Sequence, residues 1–533
     1  MRMRVFAAVT EGLSVAGIAM AIGVVATLAA CWLAPRWGLV DRPDERRKTH
    51  GRVVPLGGGV AFFLATVAAL AIWWWLTGWE KAESAWKLLN LGPLLGSSLI
   101  ILFLGLMDDR WGMRGRQKLF GQLVAASILM ASGYFFDQVS LFGTTIALGI
   151  AALPVVLFWI LGAINAVNLL DGADGFAGTV GMILAASLGC LAAVSGRPEA
   201  ATVAFAFAGA IGGFLIFNFP PAKIFMGDAG SMLIGLVIGA LSIQASLKGP
   251  GTLLLAAPLA VLAIPVLDSL AAILRRKLTG RSIYSVDHGH LHHCLLERLG
   301  NNRKLLVAIT GICLITCIGG IASLSWENDW IALVAIVGVV TILVIGNFFG
   351  RGELFLLLAA LRRVAASLVP PWAKSGKLPA TAVQLQGTCR WEMIWEAMLL
   401  QLSRLGLVRV TLDVNMPFAG ESFHASWRAE DLGSEEGDGH WKVMMPLFVS
   451  DVCVGRLEFV GRREVGHDKL LGGQLFSYAR MMEDQLVGIV SNGKNGRIPH
   501  PVSVPKEAVL VSDENRALPA LDEMNRLPRR FPR

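Results

Sequence analysis

The chain has 533 residues, of which 54% are hydrophobic and only 16% charged, with a formal net charge of +8. Soluble domains rarely have this balance, and the apolar residues lie in long runs, so a polytopic membrane protein is expected rather than a soluble globular enzyme. In such a chain the excess charge is loop lysine and arginine that fixes topology, no nucleic-acid motif accompanies it, and no nucleic-acid partner is expected.

The seven cysteines (31, 190, 294, 313, 317, 389 and 453) are scattered with no CxxC pair, which gives neither a disulfide framework nor a cysteine zinc site. The first apolar run, 13–34, is longer than a signal-peptide core and has no evident cleavage site, so it reads as a retained span. Ten further runs approach the roughly 20 residues that a bilayer requires: 57–77, 91–107, 118–136, 145–164, 176–194, 201–217, 229–247, 252–274, 304–324 and 330–349. Loops after odd-numbered spans gather Arg36, Arg46, Arg47, Arg110, Arg114, Arg116, Arg275, Arg276 and Lys277. The positive-inside rule places those loops in the cytoplasm, and with eleven spans the C-terminus lies there too.

Beyond the spans, 353–369 reads as an amphipathic surface helix ended by Pro370-Pro371, followed by a linker to about Gly387. Residues 388–490 have a soluble composition. Helices are expected near 391–405 and 469–490, and strands near 408–414, 423–427, 441–448 and 452–460: a small α+β domain, loosely similar to a GAF sensor domain. The tail 491–533 is polar and proline-rich and reads as disordered. The fold class is therefore an all-α polytopic membrane bundle of about 11 transmembrane helices with a small C-terminal α+β cytoplasmic domain.

Five polar segments fall at the ends of the odd-numbered spans. Polar groups beside a bilayer are costly, so their clustering on one face marks chemistry. The segment 41–59 (DRPDERRKTHGRVVPLGGG) offers Lys48 and His50 to an anionic lipid headgroup, or serves topology alone. Asp108-Asp109 are adjacent carboxylates followed by Arg110, Arg114, Arg116 and Lys118, suited to a metal-bound phosphate, or a plain helix end with solvated charge. Asn168, Asp171 and Asp174 in NAVNLLDGADG recur at a spacing of three, near one helical face, where they suit a hard cation or a nucleotide, or a capped turn. Asp228, within Phe225–Ser231, opens a helix as a cap or as a metal ligand beside a phosphate at the helix N-terminus. His288, His290, His292 and His293 stand within six residues. They suit a zinc site or a pyrophosphate site, and the neighbouring Arg275, Arg276 and Lys277 favour the phosphate. Asp268, about two turns inside the ninth span, needs a partner, for which an arginine near the helix end is the candidate.

Taken in order, DRP…RKTH…PLGGG, MDDR with QKLFGQ, NAVNLLDGADG, KIFMGDAGS and DHGHLHH resemble the polyprenyl-phosphate N-acetylhexosamine-1-phosphate transferase family over roughly 13–325. The MDDR…KLFGQ wording and the His-x-His-His loop are closest to its undecaprenyl-phosphate N-acetylglucosaminyl branch. One departure is His288, where that branch commonly has arginine. The resemblance makes 1–350 a membrane-embedded glycosyl-1-phosphate transferase domain and says nothing of the C-terminal extension. It implies Asp171 and Asp228 as ligands of Mg²⁺ (Mn²⁺ as the alternative), and Asp108, Asp109, His290 and His292 as catalytic, with Asp108 the candidate base and the histidines on the pyrophosphate. It implies Lys48, His50, Lys118, Asn168, Asp174, Phe225 and His293 as substrate-binding. The partners it implies are a UDP-N-acetylhexosamine, a polyprenyl phosphate and the bilayer, with a homodimer allowed. A transporter is the rival class, but its carboxylates belong at the midplane and it requires inverted repeats, neither of which is seen. A membrane-anchored sensor is the second rival.

Overall fold

A computed structural model describes residues 2–41, 53–249, 252–281, 289–368, 381–387, 389, 391–402, 407–416, 419–429, 440–449, 452–462 and 468–492. Lys48, His50, Asp287, His288 and residues 493–533 of the expected disordered tail lie outside the described residues, while its first two residues end a helix. The chain divides into two compact units, Met1–Leu274 with Gly289–Arg351, and Arg275–His288 with Gly352–Arg533.

In the first unit the long apolar runs are helical, because a backbone at membrane depth has to satisfy its polar groups within the segment. In chain order these are α1 (Arg2–Leu33), α2 (Gly58–Thr77), α3 (Trp79–Leu88), α4 (Leu91–Trp111), α5 (Gly115–Ala131), α6 (Ala152–Leu170), α7 (Phe176–Val194), α8 (Pro198–Asn218) and α9 (Gly227–Ser246). They are followed by α10 (Ala256–Val261), α11 (Ala263–Leu278), α12 (Leu291–Leu299), α13 (Asn302–Ser325) and α14 (Asp329–Ile345), with α11 running on into the second unit. Among the described residues eight helices are long and apolar enough to cross a bilayer: α1, α2, α4, α6, α7, α8, α9 and α13. The other three expected spans fall on shorter elements. α5 and α14 have 17 residues each. The ninth expected span is split into α10 and α11 at Leu262.

The membrane unit is not purely helical. Strands β1 (Val40–Asp41) and β2 (Val54–Pro55) pair in the first polar segment. Strands β3 (Gln138–Leu141), β4 (Thr144–Ala147), β5 (Leu247–Gly249) and β6 (Thr252–Leu254) form a sheet in the order β4-β3-β6-β5. The expected fifth span began at 145, but Thr144-Thr145-Ile146 is a β-branched run that pairs with β3, and the helix starts at Ala152.

At the centre stands α9, whose side chains from Ala229 to Ser246 are all buried. A helix apolar on every side belongs inside a bundle, and α9 packs against α2, α4, α6 and α7. Phe62 on α2 meets Phe207 and Phe214 on α8 edge-on, each at 5.8 Å. Large apolar side chains such as Phe103, Phe158, Ile318 and Val334 stay exposed on the outer helices, as a lipid-facing surface requires.

The second unit holds α15 (Arg351–Leu368), β7 (Thr381–Gln386), α16 (Trp391–Leu402), β8 (Leu407–Met416), β9 (Glu421–Arg428), β10 (His440–Val449), β11 (Val452–Arg462) and α17 (Asp468–Asn492). The expected amphipathic helix is α15. Strands pair antiparallel in the order β10-β11-β8-β9-β7 around a core that includes Trp391, Trp395, Phe423 and Phe459. Four strands and both helices fall where alternation placed them. β7 does not: it lies inside the expected linker, because its polar alternate positions give TAVQLQ a loop-like composition.

This unit also takes in the end of α11 and the residues that follow it. Arg281 lies against the sheet, with Nε donating to both oxygens of Asp413 (3.1 and 2.9 Å) and Nη2 to Asp413 Oδ1 (2.8 Å) and the Val414 carbonyl (2.9 Å). Arg456 Nη2 donates to the Thr279 carbonyl at 2.8 Å. Burial pushes the Asp413 carboxyl up, but the bonds from His424 and Arg281 outweigh it and hold it below the ordinary value. A depressed native pKa contributes stability above the unfolded value of about 3.9, and that stability is lost as pH falls through the native one. Removing one partner of a buried pair costs about 3–5 kcal/mol. Arg281→Ala is therefore expected to lower the unfolding midpoint of this unit at neutral pH, with the deficit shrinking as pH falls below about 4. Thermal unfolding of the purified protein at both pH values checks it.

Candidate active site

Described residues from all five polar segments converge in the first unit. Asp108 and Asp109 end α4, Lys118 lies in the first turn of α5, Asn168 and Asp171 close α6, and Asp228 opens α9. The Lys118 ammonium bridges the Asp108 and Asp228 carboxylates. Asn168 Nδ2 donates to Asp228 Oδ1 at 3.0 Å and to Ser231 Oγ at 2.9 Å. Asp108 Oδ1 accepts the Met113 N–H at 2.5 Å, which folds the α4–α5 turn beneath it.

Asp109 plays a part that its sequence neighbourhood does not announce. Its carboxylate accepts the N–H of Asp228 (2.8 Å) and of Ala229 (3.3 Å). The first N–H groups of a helix have no partner within it, and a carboxylate there also favours the helix dipole. Asp109 on α4 thus caps α9, where Asp228 was expected to do so. The expected phosphate cradle at this helix N-terminus is in part filled by the protein's own carboxylate.

Other expected substrate contacts are also held by the protein. Lys118 is engaged by two carboxylates, which take up two of the three donors of its ammonium. Both bonds from the Asn168 amide go to α9, so in this arrangement it orients Asp228 rather than offering that amide to a nucleotide. Asp174 Oδ2 accepts the Ala222 N–H at 3.0 Å and ties down the chain after α8. Phe225 uses its carbonyl to accept from Gly57 and Gly58 (3.3 and 3.1 Å), joining the PLGGG segment to the start of α9.

The histidine loop sits beside the α6–α7 turn. His292 lies over Gly172, where an added Cβ would stand 2.3 Å from Nε2, so the close approach depends on the missing side chain. Phe176 packs against His292 at 5.4 Å, and the His292 and His293 rings lie 4.1 Å apart. His290 and His292 are stacked at 6.0 Å with 9° between planes. Asp268 pairs with His290 Nδ1 at 3.0 Å and accepts the Leu291 N–H at 2.7 Å, so its partner is this histidine and not the expected arginine.

Charge is concentrated where the α4, α6 and α9 ends meet. Asp171 keeps contact with solvent, yet protein crowds its carboxyl. That burial, followed by repulsion from Asp228, Asp109 and Asp174, pushes its pKa up to about 8. One ammonium serves Asp108 and Asp228, and the region retains negative charge that a cation would offset. Among the described residues no three His, Cys, Asp or Glu side chains form a ready cage. An oxygen-only set of this kind would suit a hard cation such as Mg²⁺, which keeps waters and takes substrate phosphates as further ligands.

Residues 91–246, which hold α4 to α9, match the family model described as glycosyl transferase family 4. The chain is 31% identical over 303 residues to a probable undecaprenyl-phosphate N-acetylglucosaminyl 1-phosphate transferase of Bacillus subtilis, covering 56% of this chain and 81% of that protein. The chain belongs to the polyprenyl-phosphate N-acetylhexosamine-1-phosphate transferase family. A decaprenyl-phosphate N-acetylglucosaminephosphotransferase of Mycolicibacterium smegmatis is 33% identical over 359 residues, 62% of this chain and 86% of its own length. The undecaprenyl-phosphate alpha-N-acetylglucosaminyl 1-phosphate transferase of Escherichia coli K12 is 28% identical over 311 residues, 57% of this chain and 82% of its own length. Membership makes the chain a multi-pass membrane transferase.

Proposed function

We propose that this protein transfers N-acetylglucosamine 1-phosphate from UDP-GlcNAc to undecaprenyl phosphate, giving undecaprenyl diphosphate-GlcNAc and UMP, as the first step of a cell-envelope polysaccharide. The reaction takes place on the cytoplasmic side of a bacterial inner membrane, where the positive-inside pattern puts the polar loops. The observation that carries this reading is the set of opposite charges joining α4, α5, α6 and α9: Asp108 and Asp228 on one ammonium, with Asn168 orienting Asp228.

Asp228, with Asp171 nearby, would hold Mg²⁺, whose charge would offset that of the phosphates and let an anionic acceptor approach. The protein's own groups do the rest. Lys118 balances Asp108 and Asp228 in the absence of substrate and supplies a positive charge beside them when a phosphate arrives. Asp109 fixes the first turn of α9 and so the position of Asp228. His290 and His292 stabilise charge on the departing UMP. The lipid phosphate is already an anion and attacks the β-phosphorus directly, so Asp108 is needed only to accept a residual proton.

Membranes carrying the protein, given UDP-GlcNAc labelled in the sugar and in the β-phosphate, are expected to pass both labels to lipid and to release UMP. Release of UDP would mean simple glycosyl transfer and would overturn the reading. Chelation of divalent metal is expected to stop the reaction and Mg²⁺ to restore it.

A further inference from the structure

Asp268 is 1% exposed, on a helix whose neighbours are largely apolar. A carboxylate in such a place is costly unless every oxygen is used. Both are: Oδ2 faces His290 Nδ1 at 3.0 Å, and Oδ1 accepts the Leu291 N–H at 2.7 Å. The second bond has its own meaning. Leu291 is the first residue of α12 and His290 is its N-cap, yet the His290 side chain makes no capping bond. The Asp268 carboxylate supplies that acceptor from another helix, at the end where a negative charge is favoured.

We propose that Asp268 is the positioning residue of the histidine loop. It fixes the orientation and tautomer of His290, the ring that stacks on His292. A carboxylate at Nδ1 holds a proton on that nitrogen and leaves Nε2 as the ring atom for a substrate. The stacking of His290 on His292, and of His292 over Gly172, carries the alignment from Asp268 to the turn that holds Asp171. This inference rests on the histidines acting at the phosphates, as proposed above.

The test is a double-mutant cycle in the full-length protein, with kcat and KM for the UDP-sugar measured at equal amounts of folded enzyme. Asp268→Asn is expected to lower kcat about 10–100-fold, the scale on which residues that orient a histidine act, with a smaller change in KM. His290→Ala is expected to lower kcat at least as far. If Asp268 acts through His290, adding Asp268→Asn to His290→Ala costs little more, well short of the product of the two single effects. A double variant that loses the full product would make Asp268 an anchor of α12 alone and overturn the proposal. Wild-type kcat in Asp268→Asn, with His290→Ala impaired, overturns it too and leaves the reading of the histidines standing. Wild-type kcat in His290→Ala instead removes that reading, and the proposal with it. Should Asp268→Asn fail to fold, Asp268→Glu carries the test. It keeps the charge and moves it by one methylene, so kcat is expected to fall at normal expression, and an unchanged kcat would overturn the proposal.

Discussion

Asp228→Asn is expected to lower sugar-phosphate transfer by about 10²–10³-fold, a loss of about 2.7–4 kcal/mol of transition-state stabilisation. The substitution is nearly isosteric and leaves an oxygen to accept from Asn168, which lies at 3.0 Å in the native protein. What it removes is the charge. Lys118 then has only Asp108 as its anionic partner, and any cation beside the phosphates loses a ligand. Because the side chain is partly open to solvent, at 29% exposure, the loss of charge is not expected to unfold the bundle. The decisive measurement is UMP release as a function of Mg²⁺ concentration. A variant with a lower rate and a raised Mg²⁺ requirement fits a ligand role. Activity equal to wild type at low Mg²⁺ would remove Asp228 from the metal site.

The contrast between what could and could not be read from sequence is physical. Chemistry-bearing residue types stood out because charge is rare in this chain, and a carboxylate or histidine at a span end is visible against a background of alanine and leucine. Strands β8 to β11 were equally visible, because a half-buried strand alternates whatever it packs against. Partners were not. Nothing near Asp109 says that its carboxylate caps a helix about 120 residues away, or that Asn168 turns its amide toward Asp228 and Ser231. Asp268 was recognisable as a buried charge in need of a partner, but arginine was the default guess and a histidine 22 residues on is the answer. Such pairings are fixed by how helices cross, which hydropathy does not encode. The same holds for the split between α10 and α11: the run 252–274 is apolar throughout, and composition alone does not show that it begins with a strand and breaks at Leu262.

One helix crossing puts this coupling of packing and chemistry to a direct test. Gly105 on α4 faces the first turn of α9 so closely that an added Cβ would lie 2.2 Å from the Ala229 Cα and 2.4 Å from its nitrogen. Those are backbone atoms, with no rotamer to turn aside, so even Gly105→Ala forces the two helices apart. Overpacking of this kind costs about 1–3 kcal/mol. The larger effect is expected in activity, because the displaced turn is the one that holds Asp228 and is capped by Asp109 at 2.8 Å. A misplacement of about 1 Å at reacting groups is worth about 10²-fold in rate. Gly96 on the same helix provides the control: an added Cβ there meets nothing within 4 Å. Gly96→Ala is expected to leave the rate unchanged, while Gly105→Ala falls about 10²-fold at equal amounts of folded protein. Thermal unfolding in detergent, measured beside UMP release, separates the two contributions. If Gly105→Ala loses activity only in proportion to the protein that unfolds, the α4–α9 crossing maintains the fold but does not set the alignment of Asp109 and Asp228.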